Sequence, residues 1–339
     1  MTGGPTVVVD ADVLGRRRTG DETYVANLLA ELGRLATDLR LVALTRRPDL
    51  VPPGVEPYEV PARWQEVRMV LAVPRALRRL RPALVHFQYA LPPCLHAPAV
   101  VTVHDLSFER DAAVMSRLDR LTFRAVVPRA VRRAARVLTV SERTRRDLVE
   151  LYGVDEARVV VTPNGVDPAF SPARDGGSHG YALFVGAIQP RKDPLAAAAA
   201  AAEAGLPLVV VGPERDRELA QELRARGADL RGYVSQDELV ELYRGAAALV
   251  LPSRYEGFGL PVLEAMATGT PVVATADDAV REVAGDAALY APPDRLGDAL
   301  RRAIGDRDRL VAAGLERARR FTWAETARRT LAVYREVLG

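Results

Sequence analysis

The segment 249–273, which reads LVLPSRYEGFGLPVLEAMATGTPVV, carries two acidic residues in a setting suited to ligand binding. A buried strand is predicted to end near Pro252 and a helix to begin near Leu260, so free backbone amides form an anion site. Glu256 lies in the loop and Glu264 in the helix. Carboxylates at this spacing suit the vicinal hydroxyls of a sugar. The alternative is a capping Glu256 and a solvated Glu264, but the apolar residues around Glu264 favour a half-buried carboxylate with a specific partner.

Lys192 is the only lysine among 47 basic residues, and it follows Arg191 in the segment VGAIQPRKDP at 185–194. An ammonium is a compact charge that fits a crowded phosphate, whereas a guanidinium is a wide planar fork. Both cations follow a predicted strand, at the edge of a parallel sheet where α/β proteins bind ligands. We expect them to hold a diphosphate and to stabilise the charge that grows as a bond to it breaks. The alternative is a lysine retained by chance.

Two further positions follow predicted strands in the first half of the chain. His104 comes directly after the strand in VVTVHD, where the alternative is a core histidine satisfied by backbone groups. Gly20 lies in GRRRTGDETY at 15–24, predicted to be the loop between the first strand and the first helix, and a glycine there lets backbone approach a phosphate or sugar. This loop lacks the GxGxxG pattern, which argues against a dehydrogenase.

Short apolar runs alternate with helical patterns along the whole chain, which predicts an α/β fold with parallel sheets. The predicted strands are 6–9, 41–44, 83–87, 100–103, 136–140, 159–162, 182–185, 208–211, 249–251, 271–274 and 288–290. The predicted helices are 22–35, 64–80, 116–133, 142–151, 194–204, 215–226, 236–243, 260–268, 296–304 and the region from 307 onward, with Ser141 and Thr322 as N-caps.

A stretch rich in Pro, Gly, Ser and Asp at 167–180 predicts a linker, and 339 residues suit two domains. We expect an N-terminal domain at 1–167, a linker or hinge at 168–180, a second domain at 181–320 and a C-terminal helix at 321–339. One cysteine, Cys94, argues against intramolecular disulfides and zinc. With no signal-peptide pattern and no apolar run long enough to span a bilayer, we expect a cytoplasmic protein.

Basic residues are densest at 63–81 and 110–146, where apolar and basic positions alternate with helical period. Solvated helix faces are the first interpretation of this pattern. A surface that contacts anionic lipid headgroups or an anionic acceptor is the second, and it predicts a peripheral position at the inner face of the membrane. No aromatic-interleaved basic patch accompanies the charge, so nucleic acid is not an expected partner.

Five segments together resemble the large family four of retaining GT-B glycosyltransferases. They are the Glu256 to Glu264 spacing, PRK at 190–192, TVHD at 102–105, LTVSERTRRDL at 138–148 and VTPNGVDPAF at 161–170. The resemblance covers essentially the whole chain. It implies two Rossmann-like domains that face a central cleft, with a C-terminal helix that crosses back to the first domain. It also implies transfer of a hexose from a nucleotide-diphosphate sugar with retention of configuration.

The resemblance also implies a role for each candidate residue. The catalytic set would be His104 near the transferred sugar, Arg191 and Lys192 on the diphosphate, and Glu256 on the hexose. The donor-binding set would be Gly20 in the phosphate-facing first loop, Tyr233 and Val234 at the base pocket, the amides of Gly257, Phe258, Gly259 and Leu260, and Glu264 on the ribose.

No metal and no cofactor are expected, because the protein's own cations neutralise the diphosphate and the sequence has no Asp-x-Asp motif. The donor would be a GDP- or UDP-sugar, with mannose favoured. The acceptor would be a glycan, a lipid-linked molecule or a small molecule. Two alternatives remain open: a non-catalytic GT-B module that binds a glycan or a partner, and another GT-B enzyme such as a nucleotide-sugar epimerase.

Overall fold

The structure is a computed structural model that describes residues 4–16, 19–110, 117–173 and 180–339. Within them the chain divides into two compact units. The first unit contains residues 4–16, 19–106, 117–165 and 322–339, and the second contains 107–110, 166–173 and 180–321. Part of the predicted linker, 174–179, lies outside the described residues.

Each unit is built on one parallel sheet. The first sheet contains β1 (Thr6–Asp10), β2 (Arg40–Thr45), β3 (Glu56–Glu59), β4 (Leu84–Gln88), β5 (Ala99–Val103), β6 (Arg136–Thr139) and β7 (Val159–Val161). The second contains β8 (Tyr181–Val185), β9 (Leu208–Val211), β10 (Asp229–Gly232), β11 (Ala246–Leu251), β12 (Val272–Ala274) and β13 (Ala288–Tyr290). The sequence-based prediction of an α/β fold with parallel sheets is confirmed.

Helices connect the strands along the whole chain. They are α1 (Thr19–Leu35), α2 (Gln65–Val67), α3 (Val73–Leu80), α4 (Ser107–Arg110), α5 (Arg117–Arg133), α6 (Glu142–Tyr152), α7 (Pro194–Glu203), α8 (Arg217–Ala225), α9 (Gln236–Gly245), α10 (Leu260–Ala267), α11 (Asp278–Ala284), α12 (Leu296–Gly305), α13 (Arg307–Ala318) and α14 (Trp323–Leu338). α14 belongs to the first unit.

The strand order reverses once in each sheet. The orders are β3-β2-β1-β4-β5-β6-β7 and β10-β9-β8-β11-β12-β13, so the reversals fall between β1 and β4 and between β8 and β11. Loops that leave two neighbouring strands in opposite directions open a crevice at the carboxyl edge of a parallel sheet, and ligands bind there. Both units therefore have the Rossmann-like arrangement that the resemblance implies.

Apolar runs form the buried strands because both faces of a parallel sheet are covered by helices. In the second unit the alanine-rich α7 lies over β8 and β9, and Ala197, Ala200 and Ala201 are buried in that core. Their small side chains allow close packing against α12. The prediction that this alanine run is a helix is confirmed.

Two predicted helix caps are confirmed. The Ser141 side chain accepts a hydrogen bond from the Thr144 amide at 3.1 Å and begins α6. The Thr322 side chain accepts from the Glu325 amide at 3.2 Å and begins α14. Each bond satisfies an amide that has no acceptor within the helix.

Four of the described elements were missing from the sequence-based prediction, namely the strands β3 and β10 and the short helices α4 and α11. β3 and β10 are the edge strands of the two sheets, and their charged, largely exposed sequences lack the apolar run used to find strands. α4 is four residues long and α11 seven, so each repeats the helical period too few times to be recognised from the sequence pattern. The region from 307 onward is helical as predicted, in two helices, since α13 ends at Ala318 and α14 begins after its N-cap Thr322.

The predicted single helix at 64–80 is three pieces: α2, a π-helical turn at Arg68–Ala72, and α3. Arg68 on this turn is fully buried, so the expectation of solvated basic faces is wrong at this position. Its guanidinium pairs with Asp10, and its Nε lies 3.1 Å from Asp12 Oδ1. Burial raises the pKa of Asp10, although the charge of Arg68 opposes the shift. A buried ion cluster thus fixes the turn to the end of β1.

The C-terminal helix α14 packs on α1 in the first unit. The Tyr334 hydroxyl lies 2.6 Å from His86 Nδ1, and His86 Nε2 lies 2.7 Å from the Thr102 hydroxyl. All three side chains are fully or almost fully buried, and burial lowers the pKa of His86 to about 3. Gly165 is required near the start of this helix, because a Cβ there would lie 2.1 Å from the Trp323 amide nitrogen.

Candidate active site

In the second unit, the loop that carries two cations and the loop that carries an acid meet where the strand order reverses. β8 and β11 are paired neighbours, with Leu183 opposite Leu249. The loop after β8 carries Arg191 and Lys192, and the loop after β11 carries Glu256. Residues 64 positions apart in the sequence are therefore brought to one carboxyl edge.

Lys192 and Glu256 form a close ion pair. Lys192 Nζ donates a hydrogen bond to Glu256 Oε1 at 2.5 Å, and Arg191 Nη1 lies 4.0 Å from Glu256 Oε2. Only 12% of the Lys192 side chain and 7% of the Glu256 side chain are exposed. Two cations thus flank one carboxylate in a poorly hydrated place, where charge interactions are stronger than in water.

The ionisation of Glu256 follows from this geometry. Burial opposes its ionisation, but the charges of Lys192 and Arg191 outweigh burial and hold its pKa below the usual value. Glu256 is therefore a carboxylate across the neutral pH range. With two cations against one anion, the three side chains leave a local excess of positive charge, which attracts an anionic ligand.

Arg191 also has a structural contact. Its guanidinium donates to the Tyr255 carbonyl, and its own carbonyl accepts from the Arg254 amide at 2.9 Å. The residue is 9% exposed, and its Nε has no hydrogen bond partner among the described residues. Arg191 thus joins the two loops that carry the cations and the acid.

The loop after β11 is held at both ends. The Glu256 amide donates to Asp277 Oδ2 at 3.3 Å, while Asp277 Oδ1 accepts from the Ala279 amide at 2.9 Å and caps α11. Sequence analysis missed Asp277 because it missed α11. The signal that could have found it is an aspartate directly before a short apolar and charged run, as an N-cap.

Gly259 lies at the N-cap of α10 with φ +102°, a region that favours glycine. The chain can therefore turn directly from the loop at Gly257 and Phe258 into the helix at Leu260. Pro261 has no amide hydrogen and the Val262 amide donates to the Gly259 carbonyl at 3.0 Å, so a ligand would meet the amides that precede them, where the helix dipole adds partial positive charge. The predicted anion-binding helix N-terminus thus follows Glu256 immediately.

Glu264 lies one turn into α10 and is half-buried. It accepts a hydrogen bond at 2.8 Å from the hydroxyl of Tyr243, which is fully buried in α9. Burial raises the pKa of Glu264 to about 7; the Tyr243 bond opposes this shift and the charge of Asp167 adds to it. The expectation that this carboxylate has a specific partner is met by Tyr243.

Tyr243 was not found by sequence analysis. It looks like a core aromatic on the apolar face of α9, and its ring does pack edge-to-face against Phe170, with ring centroids 5.9 Å apart. The hydroxyl supplies the function, because a buried tyrosine usually finds a hydrogen bond partner. Its proximity to Glu264 depends on the pairing of elements 21 positions apart.

Tyr233 and Val234 lie in the loop between β10 and α9. Tyr233 is exposed and Val234 is half-buried. Their loop leads directly into α9, which begins after the N-cap Ser235 and carries Tyr243.

In the first unit, His104 follows β5 at the carboxyl edge of the sheet. Its ring lies against Tyr24 edge-to-face, with ring centroids 4.6 Å apart, and against Tyr89 at 5.6 Å. Burial lowers its pKa, so the imidazole is neutral at neutral pH. The His104 carbonyl accepts from the Thr144 hydroxyl at 3.2 Å, whereas its Nε2 has no partner among the described residues.

Two non-glycine residues with left-handed backbone adjoin the predicted site residues. Tyr89, with φ +58°, contacts His104, and Asp193, with φ +48°, follows Lys192. Such a conformation costs about 1–2 kcal/mol for a side-chain-bearing residue and clusters at functional sites. Neither residue could be identified from its sequence context.

Gly20 is the one candidate whose predicted local structure is wrong. It lies in the first turn of α1 rather than in a loop, because α1 begins at Thr19. A Cβ at Gly20 would meet no atom within 4 Å. Packing within the chain therefore does not require glycine here. Residues 17 and 18 of the predicted loop lie outside the described residues.

Within the described residues there is neither a candidate metal cluster nor a membrane-spanning helix. No group of three or more His, Cys, Asp or Glu side chains is placed to hold a metal ion in those ranges. None of the helices within them has both the length and the apolar character needed to cross a bilayer. Cys94 is an exposed thiol.

Family models and solved structures resemble this chain over most of its length. Residues 18–170 match the model described as Glycosyltransferase Family 4, and residues 175–321 match Glycosyl transferases group 1. Sucrose-phosphate synthase from Thermosynechococcus elongatus has a similar fold, with a TM-score of 0.80 and 20% sequence identity over 98% of this chain and 99% of that one.

Curated relatives resemble it in sequence. A D-inositol 3-phosphate glycosyltransferase of Acidothermus cellulolyticus is 35% identical over 71% of this chain and 62% of that protein, so the match spans less than two thirds of that relative. An O-antigen chain mannosyltransferase B of Escherichia coli is 29% identical over 70% of each chain. With both family models matched in sequence order and two Rossmann-like units in the fold, the chain belongs to the group 1, or family 4, glycosyltransferases.

Proposed function

We propose that this protein transfers a hexose from a nucleotide-diphosphate sugar to an acceptor hydroxyl, with retention of configuration and without a metal ion. The observation that carries the proposal is the buried cluster of Lys192, Arg191 and Glu256 at the strand-order reversal of the second unit. It has excess positive charge, lies beside a helix N-terminus, and occupies the position where α/β sheets bind nucleotides.

The diphosphate would exchange with Glu256 as the partner of Lys192. In the structure, Lys192 Nζ donates to one carboxylate oxygen of Glu256 at 2.5 Å. A bound diphosphate brings more negative charge than Glu256, so the ammonium can turn to it, while Arg191 remains fixed by its contact with Tyr255. Glu256 and the amides from Gly257 to Leu260 are then available to the sugar hydroxyls and the phosphate.

The ribose would bind Glu264. One oxygen of this carboxylate accepts from Tyr243, and the other can accept from a ribose hydroxyl. We place the nucleotide base at the loop of Tyr233 and Val234, as the family resemblance implies. Gly20 is assigned to the phosphate-facing side on the resemblance alone, because its helical position gives no added support.

In the reaction, the bond from the anomeric carbon to the diphosphate oxygen breaks, and its electron pair goes to the diphosphate. Lys192 and Arg191 stabilise that growing charge. The acceptor oxygen bonds to the same face of the sugar, which gives retention, and its proton goes to the departing phosphate. We assign to His104 a contact with the transferred sugar, because its neutral ring has an Nε2 that no other described residue occupies.

The names of the relatives favour particular substrates. The mannosyltransferase of Escherichia coli supports mannose as the transferred sugar, and the D-inositol 3-phosphate glycosyltransferase of Acidothermus cellulolyticus supports a small phosphorylated polyol as acceptor. We propose mannose as the transferred sugar. A lipid-linked glycan is the alternative to a phosphorylated polyol as acceptor. A peripheral contact with an anionic membrane is part of the proposal.

Metal independence has a chemical basis in the side chains. Protein cations would stand where Mg²⁺ otherwise neutralises the diphosphate. Transfer in excess EDTA should match transfer in MgCl₂.

The test is a panel of UDP-, GDP-, ADP- and TDP-sugars in EDTA, screened by thermal shift and then by assay with inositol phosphate and lipid-linked acceptors. We expect one donor to stabilise the protein and to give a product whose anomeric configuration, determined by NMR, equals that of the donor. An inverted product would overturn retention. Stabilisation by no donor, or by donors only with Mg²⁺, would overturn the proposed site.

A further inference from the structure

The helical segment before α3 presents large apolar side chains to solvent. Trp64 is 61% exposed, and Val67, Val70 and Leu71 are each exposed by 44% or more. These four residues are called the apolar ridge here. Side chains of this size are usually buried in a folded protein, and exposed apolar groups in sequence proximity mark interaction sites.

The ridge lies on one side of an amphipathic segment. Val73, Pro74, Ala76 and Leu77 are buried in the core of the first unit. The outward positions continue from the ridge to Arg75 and Arg78, at spacings of three or four residues, which places them along one helical face. The result is a stripe that is apolar at its N-terminal end and basic at its C-terminal end.

The charge along this stripe is almost all positive. Arg63, Arg75, Arg78 and Arg79 are exposed, and in the described ranges none of them has an acidic partner within ion-pair distance. Glu66 is the single acidic residue between 63 and 81. The Arg63 guanidinium lies over the Trp64 ring, 5.3 Å from its centroid. Arginines that flank an exposed tryptophan and aliphatic residues match the interface of an anionic bilayer.

The ridge is held rigidly from below. Arg68, on the inner side of the same turn, is fully buried and pairs with Asp10 and Asp12 at the end of β1. The turn itself is π-helical, which places Val70 and Leu71 side by side on the outer face. Because the backbone is already ordered, binding through the ridge costs little conformational entropy.

We infer that the apolar ridge and its arginines form the surface by which the first unit binds an anionic membrane. The apolar side chains would enter the headgroup region while the arginines pair with lipid phosphates. A second copy of this chain fits the surface poorly, because a twofold contact places the same arginines against one another. Vesicle binding needs neither donor nor acceptor, so this inference stands or falls separately from the proposed transfer reaction.

A second apolar pair extends the same side of the sheet. Leu118 and Leu121 are exposed at the start of α5, beside Arg117. The connections through α3 and through α5 both advance in the same direction across the sheet, so right-handed crossovers place both helices on one face. Both helices begin at the carboxyl edge of their sheet, which directs the two apolar groups to one end of the first unit.

The experiment measures binding of the full chain to vesicles of phosphatidylcholine with and without phosphatidylglycerol, by co-sedimentation and tryptophan emission. The protein has two tryptophans, and Trp323 is buried, so a change in emission reports Trp64. We expect binding and a blue shift with the anionic vesicles only, both weakened by salt.

Two variants and one matched control decide the outcome. V67S/L71S leaves the Trp64 probe in place, and R75E/R78E reverses two charges; each should weaken anionic-vesicle binding about tenfold or more. The control L151S/I304S changes two aliphatic side chains of lesser exposure elsewhere and should bind as the parent does. Thermal melts without vesicles check that each variant folds.

Three results would overturn the inference. The first is no binding of the parent protein to anionic vesicles. The second is equal binding of the ridge variants and the control. The third is a concentration-dependent blue shift without lipid, accompanied in sedimentation velocity by a dimer that V67S/L71S abolishes, because that would assign the ridge to a second copy of the chain.

Discussion

At the scale of single residues, the proposed function depends on the ion pair between Lys192 and Glu256. Glu256 keeps the ammonium ordered and charged at a buried position until a more anionic ligand arrives. Glu256 in turn stays ionised because two cations lie beside it. Each member of the pair therefore depends on the other, and their removal must be interpreted with that dependence in mind.

The first prediction concerns Lys192→Ala. It should lower kcat/KM about 10²- to 10³-fold, because a preorganised charge at the leaving group is lost. It should also reduce the free energy of unfolding by about 1–3 kcal/mol, since buried Glu256 loses its nearest hydrogen bond donor. Steady-state kinetics and urea denaturation measure the two effects. K192A/E256Q should recover stability without activity, and R254A, an exposed neighbour, should keep both.

A second prediction uses the raised pKa of Glu264. Since this pKa is about 7, donor affinity should rise as pH increases through 7, where the carboxylate ionises and can accept ribose hydroxyls. The folded state holds this proton more tightly than the unfolded chain, whose carboxyl has an ordinary pKa. The group's contribution to stability is therefore fully present below that ordinary pKa and is lost as pH rises from there through 7. Calorimetric titration of donor between pH 5.5 and 8.5 measures the first effect.

Variants at the same contact provide the controls. Glu264→Gln should bind donor more weakly and without this pH dependence, and its stability should lack the corresponding slope. Tyr243→Phe removes a bond that lowers the pKa of Glu264, so its binding midpoint should move to higher pH. A midpoint that is unchanged in Tyr243→Phe would show that Tyr243 serves only the core.

The sequence identified candidate residues by their type and spacing, but it did not identify the contacts they make. Lys192 stood out as a lone lysine, and the eight-residue spacing pointed to Glu256 and Glu264. Tyr243 and Asp277 were missed because their roles arise from contacts between elements far apart in sequence. The ion pair between Lys192 and Glu256 could not be predicted either, because it depends on the pairing of β8 with β11.

At the scale of elements, strand order determines which loops meet. The reversal between β8 and β11 joins the cation loop to the acid loop, and the reversal between β1 and β4 places Asp10 and Tyr89 at the edge of the first sheet. Apolar runs in the sequence locate the central strands well. They do not reveal edge strands such as β3 and β10, whose polar sequences are stabilised by pairing on one side only.

The buried ion cluster gives an element-scale prediction. Arg68→Met should destabilise the first unit by about 3–5 kcal/mol, because Asp10 loses its buried counter-ion, whereas Asp12 keeps its ion pair with Arg46. R68M/D10N should recover part of that loss, since it removes the carboxylate left without a partner. Urea unfolding monitored by tryptophan emission, in which the buried Trp323 of the same unit gives the main change, measures the difference. Equal stability of Arg68→Met and the parent would contradict the assigned role.

The attachment of α14 within the first unit gives a second prediction at the scale of elements. Tyr334→Phe leaves His86 Nδ1 buried without its partner at 2.6 Å, and should lower the free energy of unfolding by about 1–3 kcal/mol. Tyr58→Phe, a half-buried tyrosine in β3, provides a matched control for loss of one hydroxyl. Denaturation curves that coincide for Tyr334→Phe and Tyr58→Phe would show that the buried hydrogen bond contributes nothing measurable.

At the scale of the whole molecule, the candidate residues are distributed over two units, each built on one parallel sheet. The second unit carries the cation and acid loops, and the first carries the neutral His104 and the basic, apolar-ridged surface. Composition indicated the excess of arginine at 63–81 but could not separate buried Arg68 from exposed Arg75 and Arg78, because a helical period shows which residues share a face and not which partners they meet.

The central claim is that the cation and acid loops of the second unit bind the donor's diphosphate. The most direct measurement is isothermal titration of the active donor in EDTA into the parent, K192A/E256Q and R254A. The account predicts one site in the parent and in R254A, and a loss of about 10- to 100-fold in affinity for K192A/E256Q, as expected for lost charged hydrogen bonds. Equal affinity in all three proteins, or binding only after metal is added, would contradict it.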